Sequence, residues 1–408
     1  MAEHIETIIV GGGQGGLSTS FYLNQQGREH VIFDKAHQSA QAWRDRWDSF
    51  TLVTPNWMVR LPGAPYQGEQ PNGFMTRKEI VSFFDGYINR FNLPIKYGVS
   101  VQNVEPINSS YIVRTDQGDY AAKNVVIAVG LFQQSKFPLN PQNLSMNIQQ
   151  IHSSQYQNPA ALPPGAILVV GSAQSGAQIA EELNQSGRKV YLSVSSTGRI
   201  PRRYRGKDSY LWMDHMGYFR RTVDELKSPS EKFAASAHAT GKNGGYTLNL
   251  HQFARDGIQL LGHITGMNKN SVFLAPDLKE NLAKADHLEM EFVKEVDRFI
   301  EENQLDAPPE TLPKLMDGYH VEEIHELDLK QADITCIIWA TGYKFDFSWV
   351  KLPLLDQDGF PIQKYGVSDF PGLYFIGLPF LRTGISGVIA GVGDDAKLIT
   401  SVIGKNGR

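Results

Sequence analysis

The feature that most narrows the fold of this chain is a run of six residues near its start, Gly11-Gly12-Gly13-Gln14-Gly15-Gly16, placed directly after the β-branched stretch from Glu6 to Val10. Apolar residues then recur at helical spacing through Tyr22 and Leu23 until Gly27 stops them, and His30 to Phe33 is the next extended stretch, with Asp34 at its end. Strand, glycine turn, helix and strand in that order make a βαβ unit of the dinucleotide-binding kind. Glycines at 11, 13 and 16 permit a tight turn, a close backbone approach to a pyrophosphate and close helix–strand packing, so the helix N-terminus meets the phosphate charge. A carboxylate at position 34 accepts ribose hydroxyls and repels a 2′-phosphate.

The unit recurs. Ala166 to Val170 runs into Gly171-Ser172-Ala173-Gln174-Ser175-Gly176, a helical stretch through Leu183 stops at Gly187, and Lys189 to Val194 is extended again. Ala173 occupies the central glycine position, where its methyl relaxes the fit but still admits a dinucleotide. This strand ends at Ser195-Ser196-Thr197 with no acid, and Arg199, Arg202 and Arg203 follow. That arrangement suits a 2′-phosphate, and so NADPH over NADH, although the same arginines also read as a solvated basic face. Each unit has a later hydrophobic strand closing on glycine, Asn124 to Gly130 and Ile334 to Gly342.

With 408 residues, two domains are expected. The expected class is α/β, with two Rossmann-like three-layer nucleotide-binding domains, the second inserted into the first. The first takes residues 1–160 and 343–408, the second 161–342. A β-meander is expected from Ile95 to Ala122, a linker from Pro138 to Pro164, and a strand returning to the first domain at Pro371 to Gly377. Residues 199–256 form an aromatic and basic insertion with Trp212, Met213, Met216 and Phe219, which reads equally as an apolar lid or an interface. Asp286 to Asn303 is an amphipathic helix with Leu288, Phe292, Val296 and Ile300 on its apolar face and a merely solvated charged face. His320 to His325 reads as a polar surface helix, its spacing unlike a metal site.

The formal charge of −4 gives no global attraction to nucleic acid or anionic lipid, and no apolar run approaches the length of a membrane span. A single cysteine, Cys336, cannot form an internal disulfide and fits a reducing cytoplasm. Two dinucleotide sites suit hydride passage between cofactors, with FAD in the N-terminal one. A dithiol relay needs two cysteines, so disulfide reduction is excluded and oxygen, a quinone or another external acceptor remains.

Trp43-Arg44-Asp45-Arg46-Trp47-Asp48 running to Thr54-Pro55-Asn56-Trp57, both glycine motifs, and Trp339-Ala340-Thr341-Gly342-Tyr343 together resemble class B flavin-dependent monooxygenases. The resemblance is to the flavin-containing monooxygenase type, and especially to its bacterial relatives described as potassium-transport-associated flavoproteins. Aligned on His152 and Tyr156, the family fingerprint F-x-G-x-x-x-H-x-x-x-F/Y/W puts Met146 and Ile148 at the Phe and Gly positions, and its closing Trp-Pro is missing. That departure disfavours Baeyer–Villiger chemistry and favours oxygenation at a heteroatom or a carbon. The resemblance implies that NADPH reduces the flavin and that one atom of O2 passes through a hydroperoxyflavin to a small organic substrate. Asn56 aligns with a family Asn beside the flavin, an amide that donates without titrating.

By the same resemblance, Gln14, Gly15, Lys35, Val101, Gly130 and Gly377 join the first site, and Gln174, Ser175, Gly176, Ser195, Thr341 and Gly342 complete the second. Trp43, Trp47 and Trp57 either wall the flavin or fill the core, and Arg44 supplies a cation to phosphate or ring. Two other outcomes stay open: an NADPH oxidase or dehydrogenase without oxygenation, and a noncatalytic flavoprotein that regulates a partner.

Overall fold

A computed structural model describes residues 2–137, 144, 147–233 and 237–405. Two sheets organise them, and both repeat one plan. In the first, Glu3–Val10 lies between His30–Asp34 and the late strand Gly118–Ile127, parallel to both, and Ile95–Tyr97 extends the far edge. In the second, Ala166–Val170 lies between Val190–Ser193 and Ile334–Trp339, and Gln259–Leu261 takes the corresponding edge. Ala166–Val170 is buried at every position, as expected of a parallel strand covered on both faces, which is why it reads as an unbroken apolar run.

Each sheet is completed by a strand from elsewhere in the chain. Leu373–Phe375 pairs in parallel with the late strand of the first sheet, so the C-terminal segment does return there. Gln149–His152 pairs with Ile334–Trp339 at the edge of the second sheet. This corrects two expectations: part of the proline-rich 138–164 stretch is strand rather than linker, and the second domain takes in residues before 161. The described part of that stretch also holds two short helical turns, Ser153–Gln155 and Pro159–Ala161.

The meander is present from Val101, not from Ile95, as Val101–Ile107, Ser110–Thr115 and Gly118–Ile127, because Ile95–Tyr97 pairs in parallel with His30–Asp34 instead; its third strand runs on unbroken to become the late strand of the first sheet. The long helix spans Leu278–Glu302, starting before the expected Asp286. Leu288 is 43% exposed, so the buried stripe uses Leu282, Ala285, Phe292, Val296 and Ile300 instead. Residues after the helical turn Asp317–His320 are not helical, which overturns the surface helix expected at 320–325. Among the described residues, the helices Gln41–Arg44, Arg77–Phe91 and Val392–Lys405 were not anticipated. Arg77–Phe91 begins with a capping box, in which the Glu79 amide donates to Thr76 Oγ1 at 3.3 Å and Glu79 Oε2 accepts from the Thr76 amide at 2.8 Å. The Thr76-Arg77-Lys78-Glu79 spacing was its legible signal.

Candidate functional site: two glycine cradles and the seam between them

The two glycine turns are built alike. Gly11 has φ +108° and a Cβ there would stand 2.6 Å from the Ala128 carbonyl oxygen; Gly171 has φ +99° and the same distance to that of Ala340. A Cβ on Gly16 or Gly176 would fall 1.9 Å from the carbonyl oxygen of Gly11 or Gly171, so the helix can only lie this close to its strand with glycine there. At Gly13 nothing stands within 4 Å of a Cβ, and Ala173 takes the equivalent extended N-cap place. The methyl of Ala173 is therefore tolerated. Neither helix, Gln14–Gln25 or Gln174–Gln185, has a side-chain cap, which leaves amide donors and the positive end of the dipole directed outward. This donor set fits the pyrophosphate of a dinucleotide at both turns.

Gln14 and Gln174, the first residues of these helices, each reach a distant strap. Gln14 Nε2 donates to the Gly387 carbonyl at 2.7 Å, and Gln174 exchanges bonds with the backbone of Ala239. In the first cradle Asp34 ends its strand as expected, its Oδ2 accepting from the Gly12 amide at 2.6 Å and its Oδ1 from Ala36 at 2.8 Å. Gly15 faces Ile376, with Gly377 beside it at φ +77°, and Gly130 has φ +70°. Lys35 is exposed, and Val101 packs half-buried against the apolar cluster around Phe33 and Val104. In the second cradle Ser195 is half-buried and its amide donates to Ser172 Oγ at 3.2 Å.

The arginines expected at the second cradle all have partners within the chain. Arg199 is 4% exposed and clamped between Asp286 at 2.6 Å and Glu289 at 2.7 Å. Burial works against its charge, but the two carboxylates outweigh it and raise its pKa. Asp286 also accepts from Tyr319 Oη at 2.6 Å and pairs with His251 at 3.2 Å; against the pull of burial, these bonds and Arg199 hold its carboxyl far below the usual carboxylate range. The charged face of the long helix is thus a partner of Arg199 rather than merely solvated. Arg203 spends its guanidinium on the carbonyls of Gly244 and Gly245, and Arg202 pairs with Asp208 at 2.8 Å and donates to the Val53 carbonyl at 2.7 Å. Each of the three makes bonds within the chain, and Arg199 Nε and Arg202 Nη2 are buried without a partner.

The tryptophan segment divides. Trp47 is buried edge-on against Phe50, with ring centroids 5.2 Å apart, and Trp43 packs on Phe50 and Phe84. Arg44 pairs with Asp85 at 2.8 Å and donates to the Ser39 carbonyl. Asn56 is buried in the first turn of Asn56–Met58, where Oδ1 accepts from the Met75 amide at 2.7 Å and Nδ2 donates to the Gln70 carbonyl at 3.0 Å. The amide thus pins the 70–75 loop and keeps one N–H beyond the Gln70 bond.

The insertion seats on this same loop. Gly241 approaches so closely that a Cβ would lie 2.1 Å from the Leu52 carbonyl oxygen, and Gly245 at φ +84° sits against the Phe74 ring. Helix Ser209–His215 and the turn Tyr218–Arg220 then lay Tyr210, Met213 and Phe219 against Trp57, Met58 and Ile385. Residues 199–256 therefore both cover and bridge, and the Gly241–Gly245 contact was invisible in the sequence because it pairs positions almost two hundred apart. An open groove of about 790 Å³ flanks the insertion, lined by Met216, Tyr218, Arg221 and Lys227 among others, none of which belongs to a glycine turn.

His152 and Gly342 meet where the chain crosses between the sheets. His152 Nε2 lies 3.0 Å from the Gly342 carbonyl oxygen, which also accepts from the Lys136 amide at 2.9 Å, and Thr341 Oγ1 donates to the Lys136 carbonyl. Burial lowers the His152 pKa. The surviving half of the fingerprint thus ties the two crossings together; Met146 lies outside the described residues, and Ile148 packs against the core of the second sheet. Among the described residues no group of three or more His, Cys, Asp or Glu could hold a metal ion, and no helix is long and apolar enough to cross a membrane.

A family model described as pyridine nucleotide-disulphide oxidoreductase matches residues 8–215. The chain is 32% identical over 405 residues to an uncharacterized CzcO-like oxidoreductase of Geobacillus kaustophilus, covering 99% of both chains. It is 24% identical to the probable indole-3-pyruvate monooxygenase YUCCA9 of Arabidopsis thaliana, covering 93% of this chain and 85% of that one. Among solved structures, the flavin-containing monooxygenase of Stenotrophomonas maltophilia superposes with a TM-score of 0.67 at 18% identity over the whole of both chains. The fold is that of the class B flavin monooxygenases, two Rossmann-like domains in one chain. With a family model across just over half its length and a relative aligned end to end, this chain belongs to the pyridine nucleotide-disulphide oxidoreductase family and is an oxidoreductase.

Proposed function

We propose that the protein is an NADPH-dependent, FAD-containing monooxygenase that acts on a small organic substrate with O2. The observation that carries the proposal is the pair of uncapped helix N-termini on like glycine turns, joined across one seam by the Asn56 loop and the insertion. Gly11, Gly13, Gly16 and the N-terminus of Gln14–Gln25 would hold the FAD pyrophosphate, with Asp34 toward its ribose. Gly171, Ala173, Gly176 and the N-terminus of Gln174–Gln185 would hold that of NADPH. The chemistry supplied by the bound flavin is hydride acceptance from the nicotinamide and activation of O2. The chain's own part is to orient and to keep out water. Asn56 is held by Met75 and Gln70 so that its remaining N–H can donate without titrating, and Trp57, Met58, Tyr210 and Phe219 close an apolar wall around the seam.

The family description names disulphide chemistry, but Cys336, the only cysteine, is fully buried in Ile334–Trp339 and burial pushes its thiol up to about 12, which suits no dithiol relay. The monooxygenase names of the Arabidopsis and Stenotrophomonas proteins support the oxygenating alternative. A reduced lone thiol also fits a cytoplasmic setting.

The test is anaerobic mixing with NADPH, followed by admission of O2 with candidate substrates. The flavin absorbance is expected to bleach on mixing, and oxygenated product to track NADPH consumed. A flavin that NADPH leaves oxidised would make the protein noncatalytic, and peroxide equal to NADPH with every substrate would make it an oxidase.

A further inference from the structure

Arg202 is 2% exposed, yet only two of its three guanidinium nitrogens have partners. Nε meets Asp208 and Nη1 meets the Val53 carbonyl, while Nη2 is buried with no hydrogen-bond partner. The guanidinium is held between two rings, 4.3 Å from the centroid of Phe74 and 5.1 Å from that of Tyr210. Phe74 belongs to the loop that Asn56 pins, and Tyr210 to the helix that closes on Trp57 and Met58. Trp57 Nε1 is a second buried donor without a partner on the same apolar seam.

An unmade bond at a buried charged donor costs more than the average net gain of making one, so a fixed guanidinium with an idle N–H marks a place where an acceptor belongs. The charges say which kind. Arg202 pairs with one carboxylate, Asp208, and its neighbour Arg203 has no carboxylate of its own, donating to the backbone carbonyls of Gly244 and Gly245. Two guanidiniums beside one carboxylate leave a surplus positive charge, of which Arg203 carries its share at the exposed surface and Arg202 in the buried seam. A water molecule would satisfy the N–H but not the charge; an oxyanion satisfies both, through a charge-assisted bond about twice as strong as a neutral one.

We propose that this seam selects a small carboxylate with an apolar body: one carboxylate oxygen accepts from Arg202 Nη2, and the body packs among Trp57, Tyr210 and Phe219. This names the substrate class for the proposed monooxygenase and rests on that reading. Arg202 is thereby moved from the nicotinamide dinucleotide, where the sequence put it, to the substrate.

Calorimetric titration of the FAD-loaded protein with phenylacetate and with phenylacetamide, which has the same shape but no charge, tests the proposal. Phenylacetate is expected to bind at least about tenfold more tightly, Arg202→Gln to abolish that preference while leaving NADP⁺ affinity within about twofold, and Arg202→Lys to keep part of it. Equal binding of the two probes, binding of neither, or a variant that loses NADP⁺ affinity and keeps the probe preference overturns it. If Arg202→Gln does not fold with FAD, the native comparison and Arg202→Lys decide. The titration involves no turnover, so a protein that prefers the carboxylate but fails to oxygenate refutes only the proposed activity, and an oxygenase indifferent to the charge refutes only the carboxylate.

Discussion

At the residue scale the most instructive side chain is Arg199, which the sequence places at a 2′-phosphate and the structure places between Asp286 and Glu289. A guanidinium so buried and so paired is a structural cation, and removing it leaves two carboxylates uncompensated. Arg199→Ala is expected to cost ~2–3 kcal/mol, below the usual figure for breaking a buried pair because Asp286 and Glu289 keep some solvent contact. The loss depends on pH in a definite direction. The folded Asp286 carboxyl lies below its ordinary value, so its contribution is complete above about pH 4 and fades as the pH falls through the folded pKa. Native and Arg199→Ala stabilities, measured by urea unfolding, should therefore differ most near neutrality and converge in acid. The ratio of NADPH to NADH reduction rates should move by less than about twofold; a collapse of that ratio at unchanged stability would return Arg199 to the cofactor.

At the scale of elements, the seating of the insertion depends on two glycines with no motif to announce them. Gly241→Val would drive a branched side chain into the Leu52 carbonyl, an overpacking worth about 1–3 kcal/mol that loosens residues 199–256 from the Asn56 loop. Limited proteolysis should then cut within the insertion faster, while Gly86→Ala, mid-helix with nothing within 4 Å, should stabilise by about 0.5–1 kcal/mol and leave cleavage there unchanged. Unaltered cleavage in Gly241→Val would mean that the insertion is held elsewhere. The contrast with the glycine motifs shows what was legible. Gly11, Gly16, Gly171 and Gly176 are constrained by partners a few residues away or on the adjacent strand, so their spacing exposes them and both βαβ units could be read directly. The partners of Arg199 and Gly241, and the Val53 carbonyl and Phe74 ring that meet Arg202, lie far along the chain, and no local spacing encodes them. Gln149–His152 was missed for another reason: the prolines and asparagines around it signal a loop, and only its pairing with Ile334–Trp339 makes it a strand. Asn56 was singled out by resemblance alone, and its bonds to Gln70 and Met75 left no mark in the sequence.

At the scale of the whole molecule, the question is whether two sheets built on one plan also open as one body. The crossings between them are tied by His152, Lys136 and Thr341 around Gly342, and the insertion grips Leu52 and Phe74 from the other side, so separating the domains breaks contacts in both. Cys336 reports on this directly. It is fully buried in Ile334–Trp339, between Gln149–His152 and Ala166–Val170, and its thiol is pushed up to about 12, so a thiol reagent should not touch the native protein and should label one group per chain after denaturation. Slow labelling of the native protein then measures opening of the second sheet. A ligand that binds only the folded form, present at a hundred times its Kd, stabilises by about 2.7 kcal/mol and slows labelling through global opening about a hundredfold. NADP⁺ should do this because the cradle proposed for it is in the same sheet as Cys336. The deciding comparison is FAD, whose proposed cradle is in the other sheet. If the ties at Gly342 and Phe74 make one cooperative body, FAD protects Cys336 as strongly as NADP⁺ does at equal saturation. If FAD has no effect while NADP⁺ protects, the second domain opens by itself and those ties are too weak to couple the sheets.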